Sequence, residues 1–212
     1  MAKQHRQFDV LFVLALLGVM IGALGYFGPW VPHPSAALQV TGFELSEFAK
    51  FFPQVQGGVV IVHRYLFRAP WVSIVAALGL MVNRPWARRR LATHLGMTLL
   101  LSGLVLIALP PYEYLFDPSY RHQLMLVLGG ALLTTMTMFA TFLPRRVWGA
   151  TLLLIALGGP LLALWQWARF WPLVPPLYDA TFGWGWGVFA CLAGMGLVAL
   201  YGLWALVGRA DT

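Results

Sequence analysis

Apolar residues run almost unbroken for the thickness of a bilayer six times along this chain, near residues 9–28, 65–83, 91–109, 123–143, 147–168 and 183–207. About 20 apolar residues in a helix cross the ~30 Å hydrocarbon core, and a helix satisfies all its own backbone polar groups there. The pattern predicts an all-α polytopic transmembrane bundle: six spans in three hairpins, forming one membrane domain over residues 1–212. The first run follows a basic start but exceeds the 7–15 residues of a signal-peptide core, so it reads as a retained span.

Two spans depart from the simple pattern. The second has Arg68 inside one end, and its charge-free part runs only from Ala69 to Val82. Arg68 must either snorkel to the interface or be covered by protein in a tilted helix. The fifth contains Gly158-Gly-Pro160 at mid-depth, where proline removes a backbone bond and a kink is expected.

The long loop between the first two spans carries its own helical signal. Thr41-Gly-Phe-Glu44 has the form of a capping box, and the helix is expected to continue through Phe52 and stop at Pro53. Leu45, Phe48 and Phe52 share one side, which suits a short amphipathic helix over 41–53 lying at the membrane interface or covering the end of the bundle. The loops at this end share Pro-rich, aromatic elbows: Gly28-Pro-Trp-Val-Pro-His-Pro34, Leu109-Pro-Pro-Tyr-Glu-Tyr114 and Val174-Pro-Pro-Leu-Tyr-Asp179. Proline where a helix leaves the membrane, with tyrosine and tryptophan at the interface, explains that likeness as well as duplication would.

Charge gives the bundle an orientation. Lys3, Arg6, Arg84, Arg88, Arg89, Arg90, Arg145, Arg146 and Arg209 fall on one side of the six spans. Lys50, Arg64, Arg68, Arg121 and Arg169 fall on the other, accompanied by Glu44, Glu47, Glu113, Asp117 and Asp179. Basic residues in short loops stay inside, so both termini are expected to be cytoplasmic in a bacterial inner membrane. The net charge of +7 is then accounted for by anionic membrane lipids, with no nucleic acid required. Only 10% of residues are charged and 60% are hydrophobic, which excludes an ordinary soluble domain.

Candidate chemistry is sparse. Cys191 is the sole cysteine, so neither an internal disulfide nor a cysteine metal site is available. His63 and His122 lie at similar depth on neighbouring spans, but each stands beside an arginine, which weakens a metal or haem site. His94 has no partner histidine on its side except His5, and His33, in an aromatic turn, reads as structural. The set Arg64, Arg68, Glu113, Asp117 and Arg121 forms an outer charged cluster whose opposite charges are expected to pin the second hairpin to the first. No acid lies near mid-bilayer, where a proton or ion path would need one. No phosphate-binding, triad or dinucleotide motif is present, and neither a cofactor nor enzymatic activity is expected.

The remaining polar and small residues point to helix packing. Thr134, Thr137 and Thr141 recur at helical spacing on the fourth span; Gly18, Gly22 and Gly25 line the first, and Gly187 and Gly194 the last. Small residues let helices approach closely and gain contact that lipid cannot supply. They serve either packing within the chain or docking on another subunit. The ten tryptophans are expected mainly in an aromatic belt at the interface.

Pro29-Trp-Val-Pro-His-Pro-Ser-Ala-Ala-Leu38 and Thr41–Pro53, with Leu109-Pro-Pro-Tyr-Glu-Tyr114 and Tyr120-Arg-His-Gln123, resemble a group of uncharacterised six-helix membrane proteins of bacteria related to the green filamentous phototrophs. The resemblance implies an accessory role in a large membrane complex, such as the electron-transfer assembly alternative complex III or a photosynthetic assembly. The expected function is thus a non-catalytic accessory or scaffold subunit bound to other integral membrane subunits. The alternative is a carrier for a lipid, quinone or hydrophobic solute, with a cavity between the Gly158–Pro160 kink and Gln166.

Overall fold

The computed structural model describes residues 2–33, 39–84, 91–178 and 183–208, with side chains described from Val10 onward. It is an all-α bundle, and among the described residues six helices are long and apolar enough to cross a membrane. They are built on α1 (Ala2–Phe27), α4 (Ala69–Val82), α5 (Leu91–Val105), α6 (Arg121–Met136), α7 (Arg145–Phe170) and α9 (Trp186–Val207). Short 3-10 segments extend α4 back to Arg64, α5 to Ala108 and α6 to Phe142. The six expected spans are therefore present, with ends shifted by a few residues. The basic clusters in the loops after α4 and α6 mark one end of the bundle, the arginine-rich end. The other is the capped end.

The second span is the centre of the molecule. Every residue of α4 except Leu78 is buried, because α1, α5, α6 and α7 all pack against it. That settles its unusual sequence: protein, not lipid, surrounds it, so a 14-residue helix prolonged by a 3-10 turn suffices. Arg68 does not snorkel. It is 4% exposed, with its guanidinium 3.6 Å from the centre of the Phe43 ring. The flat, weakly hydrated guanidinium suits such an aromatic seat, where an ammonium would not.

Hairpins form at α5–α6 and α7–α9, but the first expected hairpin is replaced by another pairing. α1 packs chiefly on α9 and only lightly on α4. Small residues are the reason. A Cβ built on Gly18 would lie 2.6 Å from the Gly194 carbonyl oxygen, and one on Gly187 would lie 2.7 Å from the Gly25 oxygen. Backbones that close can meet only where both helices lack side chains. Gly149 of α7 and Gly202 of α9 make a second such approach, at 2.7 Å from the Gly149 Cβ position to the Gly202 oxygen. The helix α7 continues without interruption through Pro160, and Gly159 lets it pack against Ala69 and Ser73 of α4.

Over the capped end lies the loop between α1 and α4. A two-stranded antiparallel ribbon pairs β1 (Pro29–Val31) with β2 (Val40–Thr41), an element the apolar pattern did not announce. The capping box forms as expected. The Thr41 N–H donates to Glu44 Oε2 at 2.9 Å, and the Glu44 N–H donates to Thr41 Oγ1 at 3.2 Å. The helix it opens is shorter than 41–53: α2 (Leu45–Phe48) passes into a 3-10 turn over Ala49–Phe51. Phe52 then turns extended, as the residue before a proline must, and Pro53 begins α3 (Pro53–Gln56). Leu45, Ala49 and Phe52 are buried against protein, with the Phe52 and Phe170 rings 4.7 Å apart edge to face. This segment covers the bundle rather than lying on lipid.

Tryptophans depart from the expected belt. Trp30, Trp148 and Trp167 are fully buried, whereas Trp165 and Trp186 keep an outward position. Trp148 Nε1–H donates to the Leu80 carbonyl at 3.0 Å and Trp71 Nε1–H to the Leu104 carbonyl at 2.9 Å. Each ties a neighbouring helix to α4 or α5 through a bond that the donor helix does not need for itself.

Candidate functional site: a polar cleft at the capped end

Polar side chains collect in two places, one at each end of the bundle. At the arginine-rich end, Asn83 closes α4 and is fully buried. Its amide donates to Thr98 Oγ1 at 3.0 Å and Thr137 Oγ1 at 3.3 Å, while Asn83 Oδ1 lies 2.6 Å from His94 Nδ1. With the amide oxygen able only to accept, His94 Nδ1 carries the proton of this bond. One side chain thereby fastens α5 and the end of α6 to α4. Asn83 was not singled out by the sequence, since one polar residue at the end of an apolar run looks like any interfacial cap. His94 is a structural partner here.

Thr134 and Thr137 behave differently from one another. Thr134 Oγ1–H donates to the Gly130 carbonyl of its own helix at 2.9 Å, while Thr137, which donates to the Thr134 carbonyl, also receives the Asn83 amide. Only Thr137 therefore bridges to a neighbour. Thr135 was overlooked, although its hydroxyl pairs with Ser102 of α5 at 2.9 Å.

The five charged residues expected to form one cluster are distributed through the capped end. Arg68 is buried beneath Phe43; Glu113 and Arg121 are exposed. Arg64 and Asp117 line one cleft, and among the described residues no two of the five form an ion pair. The pinning falls to other residues. Lys50 of the 3-10 turn pairs with Glu47 of α2 and donates to the Tyr120 hydroxyl, and that hydroxyl donates to Glu47 Oε2 at 3.0 Å. Glu47, Lys50 and Tyr120 thus latch α2 to the start of α6. Removing the hydroxyl in Tyr120→Phe should loosen α2 by about 1–2 kcal/mol, the range for bonds to charged groups. Roughly tenfold faster hydrogen exchange at Leu45–Phe48 is the expected reading; unchanged exchange would show that the latch contributes nothing.

Beside the latch, the cleft has two connected hollows. The larger, about 630 Å³, is lined by Glu47, Lys50, Phe51, Arg64, Tyr114 and Asp117, among others. The smaller, about 170 Å³, is lined by His63, Arg64, Tyr65, Ser119, His122 and Gln123, with Val62 and Tyr120. Arg64, Ser119 and Tyr120 belong to both. Hydrogen bonds from Ser119, including its backbone N–H at 2.7 Å, hold the Asp117 carboxyl below the usual carboxylate range, so Asp117 remains an anion at neutral pH. Tyr65 stacks on His122 at 5.4 Å and tilts against His63 at 5.9 Å, giving the smaller hollow an aromatic wall.

Comparison with known proteins gives no match: no family model, no curated protein and no solved structure is similar to this chain. The geometry therefore has to speak for itself. Among the described residues no three of His, Cys, Asp and Glu converge as a metal site, and His63 and His122 share a hollow with a guanidinium. Of the residues expected to line a ligand cavity, Gly159 and Gln166 are in contact with neighbouring elements, while open space adjoins Gly158. Gly159 abuts Ser73 and Ala69, and the fully buried Gln166 accepts the His63 N–H at 3.0 Å.

Proposed function

We propose that this protein is a non-catalytic accessory subunit of a larger assembly in a bacterial inner membrane, with its arginine-rich end and both termini in the cytoplasm. The sequence supports that orientation, since Arg84, Arg88, Arg89, Arg90, Arg145 and Arg146 all fall in the two segments that link the second to the third span and the fourth to the fifth. The observation that carries the assembly reading is an unused glycine face. Gly18, Gly25, Gly187 and Gly194 are consumed by the α1–α9 contact and offer nothing to a partner. Gly96 and Gly103 of α5 are different: nothing lies within 4 Å of a Cβ at either.

Seven residues apart, the two share one face of the helix. Exposed Leu99, Leu100 and Ile107 surround them there, while His94, Thr98, Leu101 and Val105 turn inward. A glycine within a helix costs about 1 kcal/mol relative to alanine. The glycines between α1 and α9 offset that cost by close approach, but Gly96 and Gly103 gain nothing inside this chain. A helix of another subunit seated on them would supply the missing contact. The electron-transfer assembly implied by the resemblance is a candidate for that partner.

The test separates assembly from folding. Gly96→Leu with Gly103→Leu should leave insertion intact and should not lower stability, because both sites are open. Co-migration with partner subunits on native gels after mild detergent extraction should be lost. A double variant that co-migrates like the wild type, or a wild type that migrates alone, would overturn the reading.

A further inference from the structure

We propose that the smaller hollow at the capped end is a binding site for a phosphate group, held by Arg64 with His63 and His122, the remainder of the ligand extending into the larger hollow. The first support is the character of the lining. No carboxylate borders the smaller hollow, and its polar side chains are a guanidinium, two imidazoles, two hydroxyl types and an amide. The amide of Gln123 is already committed to the Ala108 carbonyl at 2.9 Å, and the Tyr120 hydroxyl to the latch. Ser119 is committed to Asp117, which leaves donors at Arg64, His63 and His122 to face the space.

The second support is the state of Arg64. Every other charge around the cleft has a partner: Lys50 has Glu47, and Asp117 has Ser119. Arg64 is half-buried and, among the described residues, has neither an ion pair nor a side-chain hydrogen bond. Among the described residues its guanidinium has no acceptor, and its nitrogens are open to the cleft, so they can meet a planar or tetrahedral oxyanion with paired N–H donors. Its backbone is also fixed, because the His63 N–H is anchored on buried Gln166 and Arg64 opens the 3-10 turn leading into α4. The site is built on the central helix rather than on a loose loop.

The third support is size and surroundings. At ~30 Å³ per water, 170 Å³ is room for about five waters, enough for a phosphate group in contact with its donors. The adjoining 630 Å³ hollow adds Phe51, Val55 and Tyr114 to its polar lining, and Phe51 is 76% exposed. An apolar border beside an oxyanion seat suits an amphiphile whose headgroup enters at the ends of the spans. The same donors would also take free phosphate, so the two sources are arms of one experiment.

Full-length protein in a neutral maltoside detergent is titrated with a short-chain phosphatidic acid and, separately, with inorganic phosphate, and bound species are counted by native mass spectrometry. Wild type should retain at least one of the two at a stoichiometry of one. Arg64→Gln should weaken that binding at least tenfold, while Arg121→Gln, at an exposed position that lines neither hollow, should not. Retention of the lipid but not of phosphate identifies a headgroup site; retention of phosphate alone identifies a soluble phosphate ligand. Absence of binding in both arms, or equal binding by wild type and Arg64→Gln, overturns the proposal. A thermal unfolding curve for Arg64→Gln that matches wild type shows that any loss is local to the site.

Discussion

Gly194→Leu is expected to prevent α1 from closing onto α9 and to destabilise the protein by about 3 kcal/mol or more. Overpacking a core ordinarily costs about 1–3 kcal/mol, because displaced side chains find other rotamers. Here the obstacle is main chain. Even the first atom of a side chain at Gly194 would lie 2.8 Å from Gly22 Cα and closer still to the Gly22 N and the Gly18 carbonyl oxygen. Backbone has no rotamer to change, so the helices must move apart, and the Gly25–Gly187 approach further along is lost with them. Gly196→Leu is the matched control. It lies two residues away on the same helix with nothing within 4 Å of its Cβ position, and should be close to neutral. Unfolding in detergent, followed by helical circular dichroism, gives both values. Equal stabilities for the two variants would mean that the contact does not hold the bundle together.

Asn83→Leu should cost about 2–3 kcal/mol, from one side chain. Interhelical hydrogen bonds inside membrane proteins are worth ~0.6 kcal/mol each on average, and three are removed. The larger part comes from what is left behind. His94 and Thr98 lose partners while buried, and a buried polar group without a partner costs about 1–3 kcal/mol. Coupling provides the sharper measurement. If Asn83 acts through Thr137, adding Thr137→Val to Asn83→Leu should destabilise much less than Thr137→Val does alone. Strict additivity would show that the network seen at the end of α4 carries no joint energy.

The spans were legible because each apolar run is a local property, and so was the Thr41–Glu44 box, whose two partners lie three residues apart. What surrounds a run is not local. Ala69–Val82 reads as apolar whether lipid or protein covers it, so the most enclosed helix looked like the weakest span. The single clue was Arg68, whose two possible explanations the sequence left open. The glycine stripes on the first and last spans were visible as stripes, yet their pairing with each other joins opposite ends of the chain, and no spacing rule reaches that far.

The candidate site was harder to read. Of its lining, Arg64, Asp117, His63 and His122 had been noticed for other reasons, as ion-pair members or doubtful ligands. Ser119 had not, because an ordinary serine in a loop carries no signal until folding brings it beside the start of α4. The expected charge pairs failed because folding scatters their members: Arg68 is buried beneath Phe43, Glu113 and Arg121 stay exposed, and Asp117 is bonded by Ser119.

The pairing of α1 with α9 also bears on how the protein is made. Translation proceeds at ~5–20 residues per second, so α1 enters the membrane on the order of ten seconds or more before α9 exists. Throughout that interval its glycine face has no native partner, since its contact with α4 is slight. Membrane insertion factors that shield such a surface would act on the first helix for as long as the last is unsynthesised. A ribosome stalled before Trp186 would hold a chain whose earlier spans have left the ribosome while its closing seam is still open.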